Sequence, residues 1–227
     1  MRRTGVAAAA AFAALAGLVA SGAATGLDEW ASTHAMPLAA GRPGPPPTLL
    51  ESLVPLLHAD LHPAGIATAA VVTLPGQALV SLLLVLVAAW KLRTRGRLDA
   101  AAGWVCAWGV GSAVELLCKH VLTRPALTRD GLHVIAFDSS WPSGHAFRCA
   151  IVACALAAAW PGLRVVLGIW LAAAVTLLEV AGAHTPTDVL GGLLLATVAA
   201  AGVVELERSA LLRRRAALRR PGARAAG

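Results

Sequence analysis

The chain has 227 residues, of which 58% are hydrophobic and only 14% are charged, and its mean hydropathy is +0.72. Soluble domains carry about a quarter charged residues, so this composition excludes an ordinary soluble domain and indicates an integral membrane protein. The net charge of +7 would suit nucleic acid, but the positions of the basic residues argue against that partner.

Six apolar segments are each long enough to cross a bilayer as a helix. They cover residues 5–26, 65–90, 98–122, 143–160, 163–183 and 186–204. The first begins after Met-Arg-Arg and ends in small residues, so a cleaved signal peptide (residues 1–26) is an alternative, although its length favours a retained helix. The sequence therefore predicts an all-α fold, an integral membrane six-helix bundle.

The remaining segments complete a single domain over residues 1–227. Residues 27–64 are predicted to form a proline-rich outer loop, within which residues 48–61 resemble a short interfacial helix. Residues 65–204 would form the core, and residues 205–227 a basic tail.

The basic residues predict the orientation. With the N-terminus in the cytoplasm, 14 of the 19 lysines and arginines lie inside, including the tail, which is expected to bind anionic lipid heads rather than nucleic acid. The alanine- and arginine-rich composition, which lacks tyrosine, favours a bacterial plasma membrane protein. The other five basic residues lie outside; they are Arg42, Lys119, Arg124, Arg129 and Arg148. All seven histidines also lie outside. Four of these five lie between residues 119 and 148, which suggests an anion site on the outer face.

The outer end of the third segment carries Glu115 and Lys119, four residues apart in the favourable order for an ion pair. Such residues near membrane depth are usually paired or functional, and both interpretations stay open here.

The fourth segment begins with Trp-Pro-Ser-Gly-His at residues 141–145. Ser143 can cap the helix, and the helix start is a ready anion site. Gly144 lets ligand oxygens approach the backbone, while His145 and Arg148 follow in the first turn. A capped helix start alone would explain Ser143 but not His145 and Arg148 together.

The sixth segment is preceded by His184 and begins with a capping pattern of Thr185, Pro186 and Asp188. Capping alone is one interpretation of Asp188. In the other, its carboxylate accepts a hydrogen bond from one ring nitrogen of His184 and makes the far nitrogen a better nucleophile.

These residues suit phosphoryl transfer from an anionic ester, in which one histidine attacks and the other protonates the leaving oxygen. The spacing of the histidines and acidic residues does not suit a metal cage, and the four cysteines show no metal-type spacing. No metal and no cofactor are therefore expected.

The chain resembles the type 2 phosphatidic acid phosphatase (PAP2) superfamily, in its membrane lipid phosphatase branch, over about residues 60–205. Pro142-Ser143-Gly144-His145 matches the family's P-S-G-H motif, and His184 with Asp188 matches its H-x3-D motif. The resemblance implies that His184 forms a phosphohistidine, that Asp188 orients it, and that His145 is the general acid.

The resemblance also implies that Ser143, the Gly144 amide and Lys119 bind the phosphate. Two family arginines are absent, because Ala126 and Leu178 stand at their positions. Their loss would weaken transition-state stabilisation by several kcal/mol, at about 3–4 kcal/mol for one such donor. We expect Arg124 and Arg148 to substitute, with Arg129 as a further candidate.

The expected activity is hydrolysis of a lipid phosphate or diphosphate at the outer face, with polyprenyl diphosphate or phosphatidic acid as plausible substrates. Two alternatives remain open. The missing arginines would also suit a non-catalytic anionic-lipid-binding membrane protein, and the same histidine intermediate would permit phosphotransfer to an acceptor other than water.

Overall fold

The computed structural model describes residues 2–34, 64–122, 128–129, 132–133, 141–181 and 183–218. Their helices are α1 (Arg2–Ala20), α2 (Thr25–His34), α3 (Ala64–Thr73), α4 (Ala78–Thr94), α5 (Leu98–Val121), α6 (Gly144–Ala159), α7 (Arg164–Val180) and α8 (Pro186–Leu218). Two-residue strands, β1 (Thr128–Arg129) and β2 (Leu132–His133), pair antiparallel between α5 and α6. The predicted all-α fold is confirmed.

Four helices in the described ranges are long and apolar enough to cross a membrane: α1, α5, α7 with the turn before it, and α8. A fifth span is formed if α3 and α4, which meet at an angle of 54°, are taken together. Helix α6 has 16 residues, fewer than a span usually needs. The chain therefore has the helices of a membrane bundle, but they are less regular than six straight spans.

The prediction of one continuous helix over residues 65–90 is wrong, because the segment is interrupted. Leu74–Gly76 form a 3-10 turn with a proline in its first positions, and Gln77 then adopts an extended conformation before α4 begins. Proline lacks the N–H that would continue the helix ladder, so the chain bends at this point. We call residues 74–77 the helix break.

Helix α6 lies at the centre of the bundle and packs against α4, α5, α7 and α8. Phe147 and Ile151 are fully buried in its core. Small residues allow close approach of the helices, since a Cβ atom at Gly111 of α5 would overlap the Phe147 ring, and one at Gly192 of α8 would overlap the Ser143 carbonyl oxygen. The backbone positions around α6 are therefore tightly constrained.

The N-terminal residues form two helices rather than the single predicted segment 5–26. Helix α1 packs along α8, and the ring of Phe12 lies 5.0 Å from that of Trp141, just before α6. Helix α2 occupies the first part of the predicted outer loop, where Asp28 is buried. The predicted interfacial helix at residues 48–61 lies outside the described residues.

At the end of the bundle where α6 ends, basic residues connect neighbouring helices through hydrogen bonds and ion pairs. Arg97 donates to the Ala158 carbonyl oxygen at 2.9 Å and to Glu207 of α8 at 2.6 Å. Arg214 pairs with Asp99 at 2.9 Å. Helix α8 continues through residues 205–218, which are part of the predicted basic tail.

We expect Gly111→Ala to lower the free energy of unfolding by about 1–3 kcal/mol, because the added methyl group overpacks against Phe147, which is fully buried. The measurement is the thermal unfolding of the detergent-purified protein. Gly109→Ala on the same helix is the matched control, since no atom lies within 4 Å of the added Cβ. Equal stability of the two variants would contradict this packing.

Candidate active site

Two histidine rings from distant parts of the sequence lie together at one end of the bundle. The ring centroids of His145 and His184 are 6.1 Å apart, with the ring planes at 50°. His145 is the second residue of α6, and His184 lies two residues before α8 begins. The Ser143 N–H donates to the Asp188 carbonyl oxygen at 2.9 Å, so the starts of the two helices are bonded to each other.

Ser143 caps α6 as its position predicts. Its Oγ accepts from the Ala146 N–H at 3.2 Å, and the residue is fully buried. Trp141, just before it, donates from Nε1 to the Thr187 carbonyl oxygen at 3.1 Å and lies against Gly191 of α8. The side chains that lead into α6 therefore set its position against α8.

The start of α8 has the predicted capping pattern. The Thr185 N–H donates to Asp188 Oδ2 at 3.2 Å, and the Asp188 N–H donates to Thr185 Oγ1 at 3.4 Å. The same carboxylate oxygen lies 3.5 Å from Nδ1 of His184, which is longer than a hydrogen bond. This Nδ1 is buried without a hydrogen-bond partner in the described part of the chain, so a small contraction would make the expected histidine–aspartate bond. Capping and orientation are thus compatible roles for Asp188.

A second carboxylate, Asp28 from α2, also binds the start of α8. It accepts from the Thr187 N–H at 3.2 Å and from Thr187 Oγ1 at 2.6 Å, and its exposed fraction is 1%. Sequence reasoning missed this contact, because its partners are 159 positions apart and neither residue has a distinctive motif.

The Glu115 carboxylate is the centre of a buried ion-pair network. Its Oε1 accepts from Lys119 Nζ at 2.7 Å, and its Oε2 accepts from Arg148 Nη1 at 2.6 Å. The Glu115 side chain is only 2% exposed, and that of Arg148 is 13% exposed. The pair predicted within α5 is therefore present, but Glu115 also holds the arginine of α6.

Gly144 lies directly against this network. A Cβ atom at this position would overlap the Glu115 carboxylate and the Arg148 guanidinium. Sequence analysis attributed the glycine to the close approach of a ligand, whereas the structure shows that it accommodates the ion pair. Binding of phosphate by the Gly144 amide stays a prediction.

The helix break also contributes to the site, which sequence analysis did not predict. Gln77 Nε2 donates to Nε2 of His145 at 2.7 Å. The Gly76 carbonyl oxygen accepts from Arg148 Nε at 2.7 Å. The signal in the sequence was Pro75-Gly76-Gln77 inside an apolar segment, since irregular backbone at membrane depth occurs where it is buried or lines a cavity.

Residue 178, where the resemblance predicts that a family arginine is missing, is a buried leucine. Leu178 is 4% exposed and packs with Ala146 and Val189. Its carbonyl oxygen accepts from the backbone N–H groups of Ala183 and His184. In this chain the position therefore supports the loop before α8 and contributes no cation.

The structure brings together most of the predicted site residues: Lys119, Ser143, Gly144, His145, Arg148, His184 and Asp188. Arg124 lies outside the described residues, and only the backbone of Arg129 is described, in β1. Within the described residues, no group of three histidine, cysteine, aspartate or glutamate side chains could hold a metal ion. The roles of the assembled residues stay predictions.

Comparison with known proteins gives a match of part of the chain to one family. Residues 112–210 match the family model of the PAP2 superfamily. No curated protein and no solved structure gives a significant match to the chain. The matched region contains Lys119, His145, His184 and Asp188. Through residues 112–210, the chain is similar to the PAP2 superfamily.

Proposed function

We propose that the protein hydrolyses a phosphate or diphosphate ester of a membrane lipid through a phosphohistidine intermediate. The match of residues 112–210 to a superfamily whose members are generally phosphatases supports a phosphoesterase activity. The observation that carries the proposal is the 6.1 Å separation of the His145 and His184 ring centroids, with the Asp188 carboxylate behind the second ring. Binding a lipid would not require a nucleophile paired with an acid.

His184 is the proposed nucleophile. Its Nδ1 faces Asp188, so Nε2 is the nitrogen that attacks phosphorus. As the Nε2–P bond forms, the bond from phosphorus to the leaving oxygen breaks. The carboxylate stabilises the positive charge that develops on the ring and keeps the proton on Nδ1.

His145 is the proposed general acid. It gives a proton to the leaving oxygen in the first step and removes a proton from the attacking water in the second. The water oxygen bonds to phosphorus, the N–P bond breaks, and inorganic phosphate is released. If an alcohol attacks in place of water, the product is the phosphate ester of that alcohol. The ring of His145 returns to its starting protonation state.

Lys119 and Arg148 are the proposed cations that bind the transferring phosphoryl group. Both contact Glu115, so the three side chains carry a net charge of one positive unit beside the start of α6. The N–H groups at a helix start also favour an anion. Arg148 thereby supplies from α6 the charge that Leu178 does not supply from α7.

A lipid substrate is proposed because the site lies at one end of an apolar bundle. The charged head would reach His184 while the chains remain in the bilayer, as either a polyprenyl diphosphate or a phosphatidate-type lipid would allow. With the basic end of the bundle in the cytoplasm, the site faces outside a bacterial plasma membrane.

We expect His184→Ala to reduce phosphate release by at least about a thousandfold, because the phosphohistidine can no longer form. The measurement is phosphate release by detergent-purified protein from a panel of lipid phosphates and diphosphates in the presence of chelator. The matched control is His120→Ala, which removes an exposed imidazole from the end of α5. Protein taken from labelled substrate into denaturing alkali, in which the N–P bond of a phosphohistidine survives, should carry phosphate in the control and not in His184→Ala.

Other outcomes of the same assay correspond to the alternative functions. If the wild-type protein binds the lipids but releases no phosphate from any of them, the chain is a non-catalytic lipid-binding protein. If label appears on an added alcohol in place of inorganic phosphate, the protein is a phosphotransferase.

We expect Arg148→Ala to lower turnover at least about a hundredfold, because a donor to the transition-state phosphate is lost. Arg164→Ala, which removes an exposed arginine at the start of α7, is the control. Since Arg148 also contacts Glu115 and Gly76, the folded fraction of each variant is measured by thermal unfolding, and turnover is expressed per folded molecule. Near-normal turnover in Arg148→Ala would remove Arg148 from the site.

A further inference from the structure

The helix break holds the general acid and the neighbouring arginine from a part of the chain outside the family match. Gln77 contacts His145 and Gly76 contacts Arg148, whereas the family match begins at residue 112. The two hydrogen bonds involve consecutive residues of the break, and their partners lie three residues apart in the first turn of α6. The break therefore docks against the first turn of α6.

The position of the break is fixed from two sides. A Cβ atom at Gly76 would lie 2.9 Å from Cys149 Sγ and 3.0 Å from the His145 carbonyl oxygen, so the backbone is in close contact with α6. On the other side, Trp170 Nε1 of α7 donates to the Val72 carbonyl oxygen at 3.0 Å. The Gln77 amide is thus presented to His145 by rigid neighbours.

The Gln77 side chain serves no local purpose in its own segment. Gln77 precedes α4, but its side chain makes no capping hydrogen bond. Its residue is only 8% exposed, and burying an amide is costly unless it is hydrogen-bonded. The contact with His145 Nε2 satisfies it.

We propose that Gln77 is a positioning residue that holds the His145 ring through both of its protonation states. This inference rests on the proposed function, in which His145 gives and then regains a proton. An amide suits this task because its NH2 group donates to an unprotonated Nε2, as in this structure, and its oxygen, after the amide turns over, accepts from a protonated Nε2. With Gln77 bound at Nε2, Nδ1 is the nitrogen that exchanges a proton with the leaving oxygen and the attacking water. A carboxylate could only accept, and an apolar side chain could do neither.

The charged and titratable groups around His145 come from three elements. Arg148 lies on α6, Lys119 and Glu115 lie on α5, and His184 lies before α8. Gln77 is the neutral partner among them. A negative charge placed at residue 77 would therefore act directly on the protonation of His145.

The test compares Gln77→Glu and Gln77→Met with Thr73→Val. Thr73 is a buried polar control in the same bent span, whose Oγ1 donates to the Ala69 carbonyl oxygen of its own helix. In Gln77→Glu, the adjacent carboxylate stabilises the protonated imidazole, and the alkaline limb of the turnover profile should move up by about one pH unit. In Gln77→Met, kcat should fall about tenfold or more while KM changes less, because only the orientation of the acid is lost. Thr73→Val should match the wild type.

A second measurement does not depend on activity. Nitrogen NMR of protein labelled at its seven histidines reports the protonation of each ring, and the His145 signals are those that disappear in His145→Asn. Gln77→Glu should shift the titration of these signals to higher pH, and Gln77→Met should change the Nε2 signal at constant pH. Unchanged His145 signals in both variants would overturn the inference.

The two measurements separate failure of the inference from failure of the proposed function. If the wild-type protein is active but the Gln77 variants behave like Thr73→Val, only the inference fails. A purely structural role would give Gln77→Glu and Gln77→Met equal losses with no movement of the pH profile, which also rejects it. If the wild type releases no phosphate, the proposed function fails, and the NMR titration still decides whether Gln77 governs His145.

Discussion

A single buried carboxylate, that of Glu115, determines how the charged part of the site is built. An unpaired charge at 2% exposure would be strongly destabilising, so the carboxylate requires the two cations that contact it. Glu115 forms ion pairs with Lys119 of the same helix and with Arg148 of α6. Arg148 in turn donates a hydrogen bond to the Gly76 carbonyl oxygen at the helix break. Because these contacts are coupled, the cations are positioned before any ligand arrives, which reduces the reorganisation that a phosphate would have to induce.

The two helix starts at the site differ in the charge around them. Two carboxylates already accept hydrogen bonds from backbone N–H groups at the start of α8. Asp28 accepts from the Thr187 N–H, and Asp188 accepts from the Thr185 N–H. The start of α6 is capped by the neutral Ser143 and has Arg148 in its first turns. An anion is therefore favoured electrostatically at the start of α6 over the start of α8, which His184 precedes. This asymmetry is consistent with the proposed roles, in which His184 attacks the phosphorus and the groups near α6 stabilise the charge.

The sequence was sufficient to predict features that arise from local spacing, and insufficient for those that depend on contacts between distant elements. The apolar segments, the cap at Ser143 and the capping pattern of Thr185 and Asp188 follow from residues within four positions of each other. The contact of Gln77 with His145 joins residues 68 positions apart, and no periodicity encodes it. The Pro75-Gly76 pair lies at the break, but the prediction rested on length and hydrophobicity, which favour one continuous helix over residues 65–90.

The proposed supply of positive charge by Arg148, rather than by residue 178, would be linked to how the site is held together. An arginine at residue 178 would need to enter the apolar cluster of Ala146 and Val189, where burial of an unpaired guanidinium is unfavourable. Arg148 lies three residues after His145 on the same helix, so one helical turn carries both the guanidinium and the proposed acid. The positive charge of Arg148 is balanced by Glu115, and its guanidinium is held in place by the Gly76 carbonyl oxygen of the helix break. Arg148 and the irregular second span are thus parts of one arrangement, in which the helix break supplies the Gly76 carbonyl oxygen and the Gln77 side-chain amide that contact this turn of α6.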